Sequence, residues 1–287
     1  MSTHFDPITI DLTSQGRAVR VHLFSAGAIA EKIKFHESRN RLSALAAIID
    51  SHFTGWLPIW VMVIQHPEGT YLVDTGMDPA VMRPGYFRSS GFLVNWFDTT
   101  QYRYAIDSEE VVHQQLAALD IPIADIKAVI LTHLHFDHVG GLAHFPTTPI
   151  LAGEAEARHP YGALPKLYPP WFKPTLITLD TPLGPFKKTR ALTAAEDLAL
   201  IHTPGHTPGH CSVLLHADQA SIFFAGDSCI SQDQLLQEKY PAGLASRRSA
   251  RQTYAAIKAF ARHHPLVLLP THDPGAATRL RQLQTLP

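Results

Sequence analysis

The stretch LTHLHFDHVGG, residues 131–141, places three histidines and an aspartate within six residues, directly after the apolar run AVIL. Imidazoles and carboxylates are the donors that zinc, iron, manganese and nickel accept. In an extended chain, residues two apart project to the same side, so His133 and His135 can face one ion together. Asp137 continues that alternation, and His138 follows where the chain should turn into the VGG segment. Four candidate ligands in so short a span exceed what one closed tetrahedral site takes, and two neighbouring metals fit better. A lone histidine would be read as a turn residue or a hydrogen-bonded core residue. A cluster of this density at the end of a buried strand is not that ordinary case.

Further donors follow the same address. HTPGHTPGH carries His202, His206 and His210 on a loop in which prolines fix φ and glycines allow tight turns. FFAGDS reaches Asp227, LLPTHD reaches His272, and YLVDTG reaches Asp74. Each lies where an apolar strand stops. In open α/β sheets that position, outside the carboxyl ends of strands, is where ligands bind.

The elements that must position these residues are legible as patterns. ITIDL and AVRVHLFSAG read as two short strands, and PIWVMVIQHPEGTYLVDTG as a hairpin around HPEG. DSEEVVHQQLAALDI has a capping-box opening and places Val111, Val112, Leu116 and Leu119 on one helical face. KAVILT is a strand running into the histidine cluster. TPILAGEAEARH reads as strand then helix, and LALIHT, CSVLLHA and SIFFAGD as strands. SARQTYAAIKAFARHH is a helix, with SRRSAR as its solvated start, and PLVLLPTHD is a final strand. Strands and helices alternate with strand pairs between them, so the class is α/β with mixed sheets.

Composition narrows the function classes. Of 287 residues, 45% are hydrophobic and 17% charged, with a net charge of −1, which describes a folded chain with no basic surface for nucleic acid. No signal-like N-terminus or membrane-spanning run is present, so a cytoplasmic, membrane-free protein is expected. Two cysteines cannot build a disulfide framework, and Cys229 is read as a small buried group rather than a ligand.

HLHFDH with TPGHTPGH, a strand-end GD and a last strand-end histidine resembles the metallo-β-lactamase fold hydrolases. PIWVMVIQHPEGTYLVDTGMDP, LTHLHFDHVGGL and IHTPGHTPGHCSV are closest in pattern to the N-acyl homoserine lactonase branch, in order from about residue 20 to 273. The resemblance implies a four-layer αββα sandwich, a single domain over 1–287, and two divalent metal ions at one edge. Zinc is expected first, with iron, manganese, cobalt or nickel also suited. His133, His135 and His206 would hold one metal, and Asp137, His138 and His272 the other, with Asp227 bridging. Asp74 would orient ligand histidines, His210 would be buried and structural, and His202 would be a strand residue.

Two metals about 3.5–4 Å apart could activate a shared water to attack a lactone or related ester, with Asp137 relaying the proton to the leaving group and Asp227 holding the pair. A quorum-quenching lactonase is the function so implied, with a small-molecule substrate and a homodimer as possible assembly. One residue departs from the branch. Ile230 stands where those enzymes carry a carbonyl-holding tyrosine, and it cannot donate a hydrogen bond. Substrate contacts are expected from lid or insertion loops at 86–104 and 161–174, through Phe87, Phe92, Trp96 and Trp171 together with Ile230.

The alternative hydrolase is a glyoxalase II-like thioesterase, whose usual C-terminal helical domain needs more chain than follows His272. Persulfide dioxygenase relatives use one iron and fewer ligands, and flavodiiron enzymes have Glu at the position of His135. A non-catalytic zinc-binding protein would not need the full set.

Overall fold

The run IWVMVI, residues 59–64, is apolar at every position, which only a strand buried on both faces tolerates. The computed structural model describes residues 3–36 and 50–287. In it Trp60, Met62 and Ile64 face a core between two sheets, while Val61 and Val63 face a second core under helices. The same two-faced burial recurs in most of the inner strands, and it makes the layers.

The first sheet contains β1 (Ile8–Ser14), β2 (Arg17–Glu31), β3 (Leu57–His66), β4 (Gly69–Val73), β5 (Tyr102–Ala105), β6 (Ile126–Leu131), β7 (Ile150–Gly153) and β8 (Thr175–Ile177). Its order is β1-β2-β3-β4-β6-β7-β8, with β5 paired to the far end of β2. Strands β1 to β4 are antiparallel neighbours, whereas β4, β6, β7 and β8 run parallel. The second sheet contains β9 (Thr181–Leu183), β10 (Phe186–Ala191), β11 (Leu198–His202), β12 (Cys211–Leu215), β13 (Ser221–Gly226) and β14 (Leu266–Pro270), in reverse order, with only β13 and β14 parallel.

Between the sheets, Val21, Leu23, Ile130, Val213, Phe224 and Leu269 belong to one buried cluster. Outside the first sheet, Val112 and Leu116 of helix α2 (Val112–Ala118) cover Leu72, Val129 and Leu131. Outside the second, Tyr254, Ile257 and Phe260 of α3 (Arg247–Ala261) cover Phe223, Ala225 and Leu268. This is the expected αββα sandwich. Truncating a central residue such as Phe224 to Ala would cost about 3–5 kcal/mol. No described helix is long and apolar enough to cross a membrane.

The segment 86–104 differs from the expected loop. It holds helix α1 (Phe92–Gln101) followed directly by β5, whose Tyr102–Ala105 pairs with Ala28–Glu31. Phe92, Leu93, Trp96 and Phe97 have helical spacing, and β5 takes its extended form from the overlong β2. The segment 161–174 is irregular apart from one helical turn at Pro165–Leu167.

One edge of the sandwich collects the ends of β4, β6, β13 and β14. It is stitched across the layers by backbone bonds from Cys211 N–H to Thr132 O (2.8 Å) and from Trp60 N–H to Thr271 O (3.0 Å). Every donor singled out in the sequence lies on that edge or on the β11–β12 loop beside it.

Candidate metal centre

Strand β6 stops at Leu131, and the chain makes one helical turn, Phe136–Val139, with the His138 N–H bonded back to His135 O at 3.0 Å. His133 and His135 precede the turn, and Asp137 and His138 lie within it. The nitrogens of His133, His135 and His206 approach within 4.8 Å of one another, as do the ligand atoms of Asp137, His138 and His272, and those of His133, His138 and Asp227. Asp227 stands between the two trios. Its Oδ2 lies 3.4 Å from His206 Nε2, 3.3 Å from His272 Nε2 and 3.9 Å from His133 Nε2, and its Oδ1 lies 3.4 Å from His138 Nε2.

His206 Nε2 and His135 Nδ1 pair with each other at 2.9 Å, but the atoms at the centre of the cage do not satisfy one another. His133 Nε2, His138 Nε2 and Asp227 Oδ1 are sealed from solvent and lack a hydrogen-bond partner, the His138–Asp227 contact being too poorly aligned to be one. Native proteins pair buried polar atoms unless something else occupies the site. Neutral imidazoles and carboxylates converging in this way fit a pair of divalent cations.

The outward nitrogens of His133, His135, His138 and His272, by contrast, are held. Asp74 accepts from His138 Nδ1 (2.8 Å), from Thr132 N–H (2.8 Å) and from Thr132 Oγ1–H (2.8 Å). It does so from a left-handed backbone, φ +60°, a strained conformation of the kind that clusters at functional sites. His272 Nδ1 donates to Pro58 O at 3.0 Å, and His135 Nε2 to Tyr161 O at 3.0 Å. His210 Nε2 accepts the Asp227 N–H at 3.0 Å, which leaves that nitrogen no lone pair for a cation; its Nδ1 meets Thr203 Oγ1 at 2.9 Å. Such outer hydrogen bonds fix the tautomer and aim of each ring. Gly226, at φ +56°, is required here: a Cβ would come within 2.7 Å of His210 Nε2.

Burial and charge sort the histidines into two groups. Burial presses His133 well below its ordinary pKa and His206 to about 3, so these rings are neutral donors. Burial also opposes the charged forms of His138 and His272, but Asp227 and Asp137 outweigh it and raise His138 well above the ordinary value and His272 to about 10. The same pairs hold Asp137 and Asp227 low against burial. Protons on two histidines thus balance the carboxylates, and entering cations would displace them.

The comparisons with known proteins agree with this geometry. Residues 54–275 match the family model described as the metallo-beta-lactamase superfamily. The chain belongs to this superfamily. Among curated metallo-beta-lactamase relatives, an N-acyl homoserine lactonase of a Bacillus species is 28% identical over 222 residues, covering 76% of this chain and 82% of the relative. The N-acyl homoserine lactonase AttM of Agrobacterium fabrum is 25% identical over 231 residues, covering 77% and 83%. Among solved structures, an N-acyl homoserine lactone hydrolase with N-hexanoyl-L-homoserine at its catalytic metal centre superposes with a TM-score of 0.72 at 22% identity, over 92% of this chain and 94% of that one. AidC, a dizinc quorum-quenching lactonase, gives a TM-score of 0.59 at 17% identity, over 95% and 91%.

In this metallo-beta-lactamase chain a cavity of about 660 Å³ opens in front of the cage, floored by His135, Asp137, His206, Asp227 and His272. Of the residues expected to meet substrate, Ile230 and Trp96 line it. Phe87, Phe92 and Trp171 do not. Phe87 is buried beneath, edge-on to Tyr86 and Phe136, because it belongs to the turn that seats α1 on the sandwich. Phe92 is 81% exposed at the outer start of α1, and Trp171 lies on the outer surface. His202 sits in β11 and Cys229 is buried, as read from the sequence.

Several site residues had little or no signal in the sequence. Pro58 and Tyr161 act through backbone carbonyls, which no side-chain type announces. Thr132 could have been found, as the polar residue between the strand and His133. Glu156 is fully buried and joins two ligand loops, accepting from Leu134 N–H (3.1 Å) and Thr207 Oγ1–H (2.5 Å).

Proposed function

We propose that this chain is a dinuclear metal-dependent hydrolase that opens lactones, N-acyl homoserine lactones among them. It would act as a single domain whose lid is built from 86–104 and 161–174. The observation that carries the reading is the set of sealed, unpartnered atoms at His133, His138 and Asp227, within the cage whose His135, Asp137, His206, Asp227 and His272 floor a largely apolar cavity. His133, His135 and His206 would hold one cation, Asp137, His138 and His272 the second, and Asp227 would stand between them. Zinc suits this donor set. Bound there, the cations supply Lewis acidity, polarising an ester carbonyl and making water acidic enough to attack near neutral pH.

The chain's own residues supply the rest. Asp74 and Pro58 O keep His138 and His272 aimed inward as charge shifts on the floor. Asp137 reaches the cavity, and its Oδ2 faces His272 Nε2 at 3.4 Å, so its other oxygen is free to carry a proton to the departing alkoxide. Apolar walls limit water, which strengthens each of these interactions.

The test is proton release by metal-analysed enzyme across N-acyl homoserine lactones, alkyl lactones, aryl esters and S-lactoylglutathione. Lactone opening that disappears on chelation and returns with zinc supports the reading. Turnover of the thioester alone would replace it with a glyoxalase II-like activity.

A further inference from the structure

Beyond the cage, four acidic or phenolic residues line the cavity: Glu31, Asp98, Tyr102 and Tyr161, the last of them exposed at 46%. Glu31 already has a partner, His36 Nδ1 at 2.5 Å. Asp98 and Tyr102 do not. Among the described residues no hydrogen bond reaches the Asp98 carboxyl or the Tyr102 hydroxyl, although Asp98 is only 9% exposed. Both groups are held in place. The Tyr102 ring is edge-on to Phe35 and Phe97 and stacked on Tyr104 at 6.2 Å, and Tyr104 Oη–H reaches the Asp98 carbonyl at 3.4 Å. Polar groups this buried are normally paired, so an acceptor and a donor left open toward a cavity point to a ligand that pairs them.

We propose that Asp98 and Tyr102 form a subsite for the secondary amide of an N-acylated lactone, with Tyr102 Oη–H donating to the amide carbonyl and Asp98 accepting the amide N–H. The acyl chain then lies along Leu93, Val94, Trp96 and Phe97 of α1, which border the same cavity. An amide needs one donor and one acceptor in a dry wall, and these two residues of one cavity wall offer both. An alkyl lactone leaves both groups unpaired. A carboxylate in that position would meet the negative charge of Asp137. Burial pushes the Tyr102 phenol well up, so that it stays a donor, and pushes the Asp98 carboxyl up to about 7 with Asp137 adding to it, so that Asp98 accepts through its carbonyl oxygen in either protonation state.

This subsite rests on the lactonase reading, and its test separates the two. The kcat/KM ratio of N-hexanoyl homoserine lactone to γ-decalactone is measured for the wild type, Tyr102→Phe, Asp98→Ala and Asp98→Asn. In parallel, calorimetry measures binding of the lactam analogue of N-hexanoyl homoserine lactone. The ratio falls about tenfold in Tyr102→Phe and Asp98→Ala, and Asp98→Asn, which keeps an accepting oxygen, recovers most of it. Lactam affinity follows the same order. If both lactones slow together and the ratio holds, or if unacylated homoserine lactone is the better substrate, the subsite is wrong while the lactonase reading stands. If the wild type opens no lactone, that reading fails, and lactam binding weakened by Tyr102→Phe still upholds the subsite. A wild type that does not bind the lactam overturns it.

Discussion

Two clusters of histidine and acid residues sit at opposite edges of the sandwich, and their difference separates a structural cluster from a site. At the edge where β3 ends, His66, Glu68 and Asp197 bring their ligand atoms within 4.8 Å, the same spacing as in the cage. There every acid oxygen has a donor. Asp197 Oδ2 accepts from Ser14 (2.6 Å) and Arg17 (3.0 Å) and meets His66 Nε2 at 3.1 Å, while Oδ1 accepts from Thr193 (2.7 Å). Glu68 accepts from the backbone of Ala194 (2.7 Å) and Ala195 (3.0 Å). At the other edge the inward atoms of His133, His138 and Asp227 have none. Residue type and spacing are alike in the two places, so satisfaction of the inward atoms is what marks the metal centre.

The sharpest way to break this comparison is to remove the central acid of each cluster. Asp227→Ala should reduce bound metal below two per chain and lower lactone turnover by roughly a thousandfold or more. Elemental analysis with single-turnover kinetics checks it, and full activity with one metal would mean that the cage is mononuclear. Asp197→Ala should do the opposite. It takes the acceptor away from the Ser14 and Thr193 hydroxyls and His66 Nε2 in a buried place, costing about 3 kcal/mol and lowering the melting temperature on the order of 5–10 °C, with activity per bound metal unchanged. A loss of metal in Asp197→Ala would show that the far cluster binds an ion after all.

Acid sharpens the same contrast. Burial works to raise the Asp197 pKa, but the hydrogen bonds from Ser14, Thr193 and His66 outweigh it, and the folded value lies below the usual 3.8. A depressed carboxylate contributes stability that is fully present above its unfolded value and is lost as pH falls through the folded one. The stability gap between wild type and Asp197→Ala should therefore be flat from about pH 5 to 8 and shrink below about pH 4. Urea unfolding at several pH values measures it, and a gap that widens on acidification would refute the assignment.

How far the sequence revealed this arrangement follows from how local each feature is. The turn from His133 to His138 was legible because its donors are neighbours in the chain. Asp74, Asp227 and His272 were legible because each ends an apolar run, and a sandwich gathers such ends at one edge. The cavity wall was not. Aromatic content in 86–104 shows that apolar groups must be covered, but depth decides which group covers which. Phe87 goes under the lid and Phe92 outside it, at positions five apart whose composition is alike. The second cluster was also invisible, because His66, Asp197 and Ser14 meet only through the pairing of distant strands.

The smallest expected effect concerns Glu156, which belongs to neither cluster yet has features of both. It is buried like Asp197 and fully paired, but its partners are the loops that carry the ligands: Leu134, between His133 and His135, and Thr207, beside His206. The Gly209 amide lies close enough to favour its charged form. Burial raises its pKa, against the pull of those bonds. In Glu156→Gln the amide oxygen can keep Leu134 N–H, and the amide nitrogen can donate to a reoriented Thr207 hydroxyl, but the charge that the Thr207 hydroxyl now meets is gone. One charge-assisted bond is lost, about 1.5–3 kcal/mol at most. Because the shape is kept, part of this should appear as stability and the rest as weaker metal retention, with a fall of about tenfold or less in affinity for the His206-containing trio. Competition with a chelator of known affinity reads this directly. An unchanged metal affinity together with a lowered melting temperature would place Glu156 with the structural cluster, and the reverse would place it with the cage.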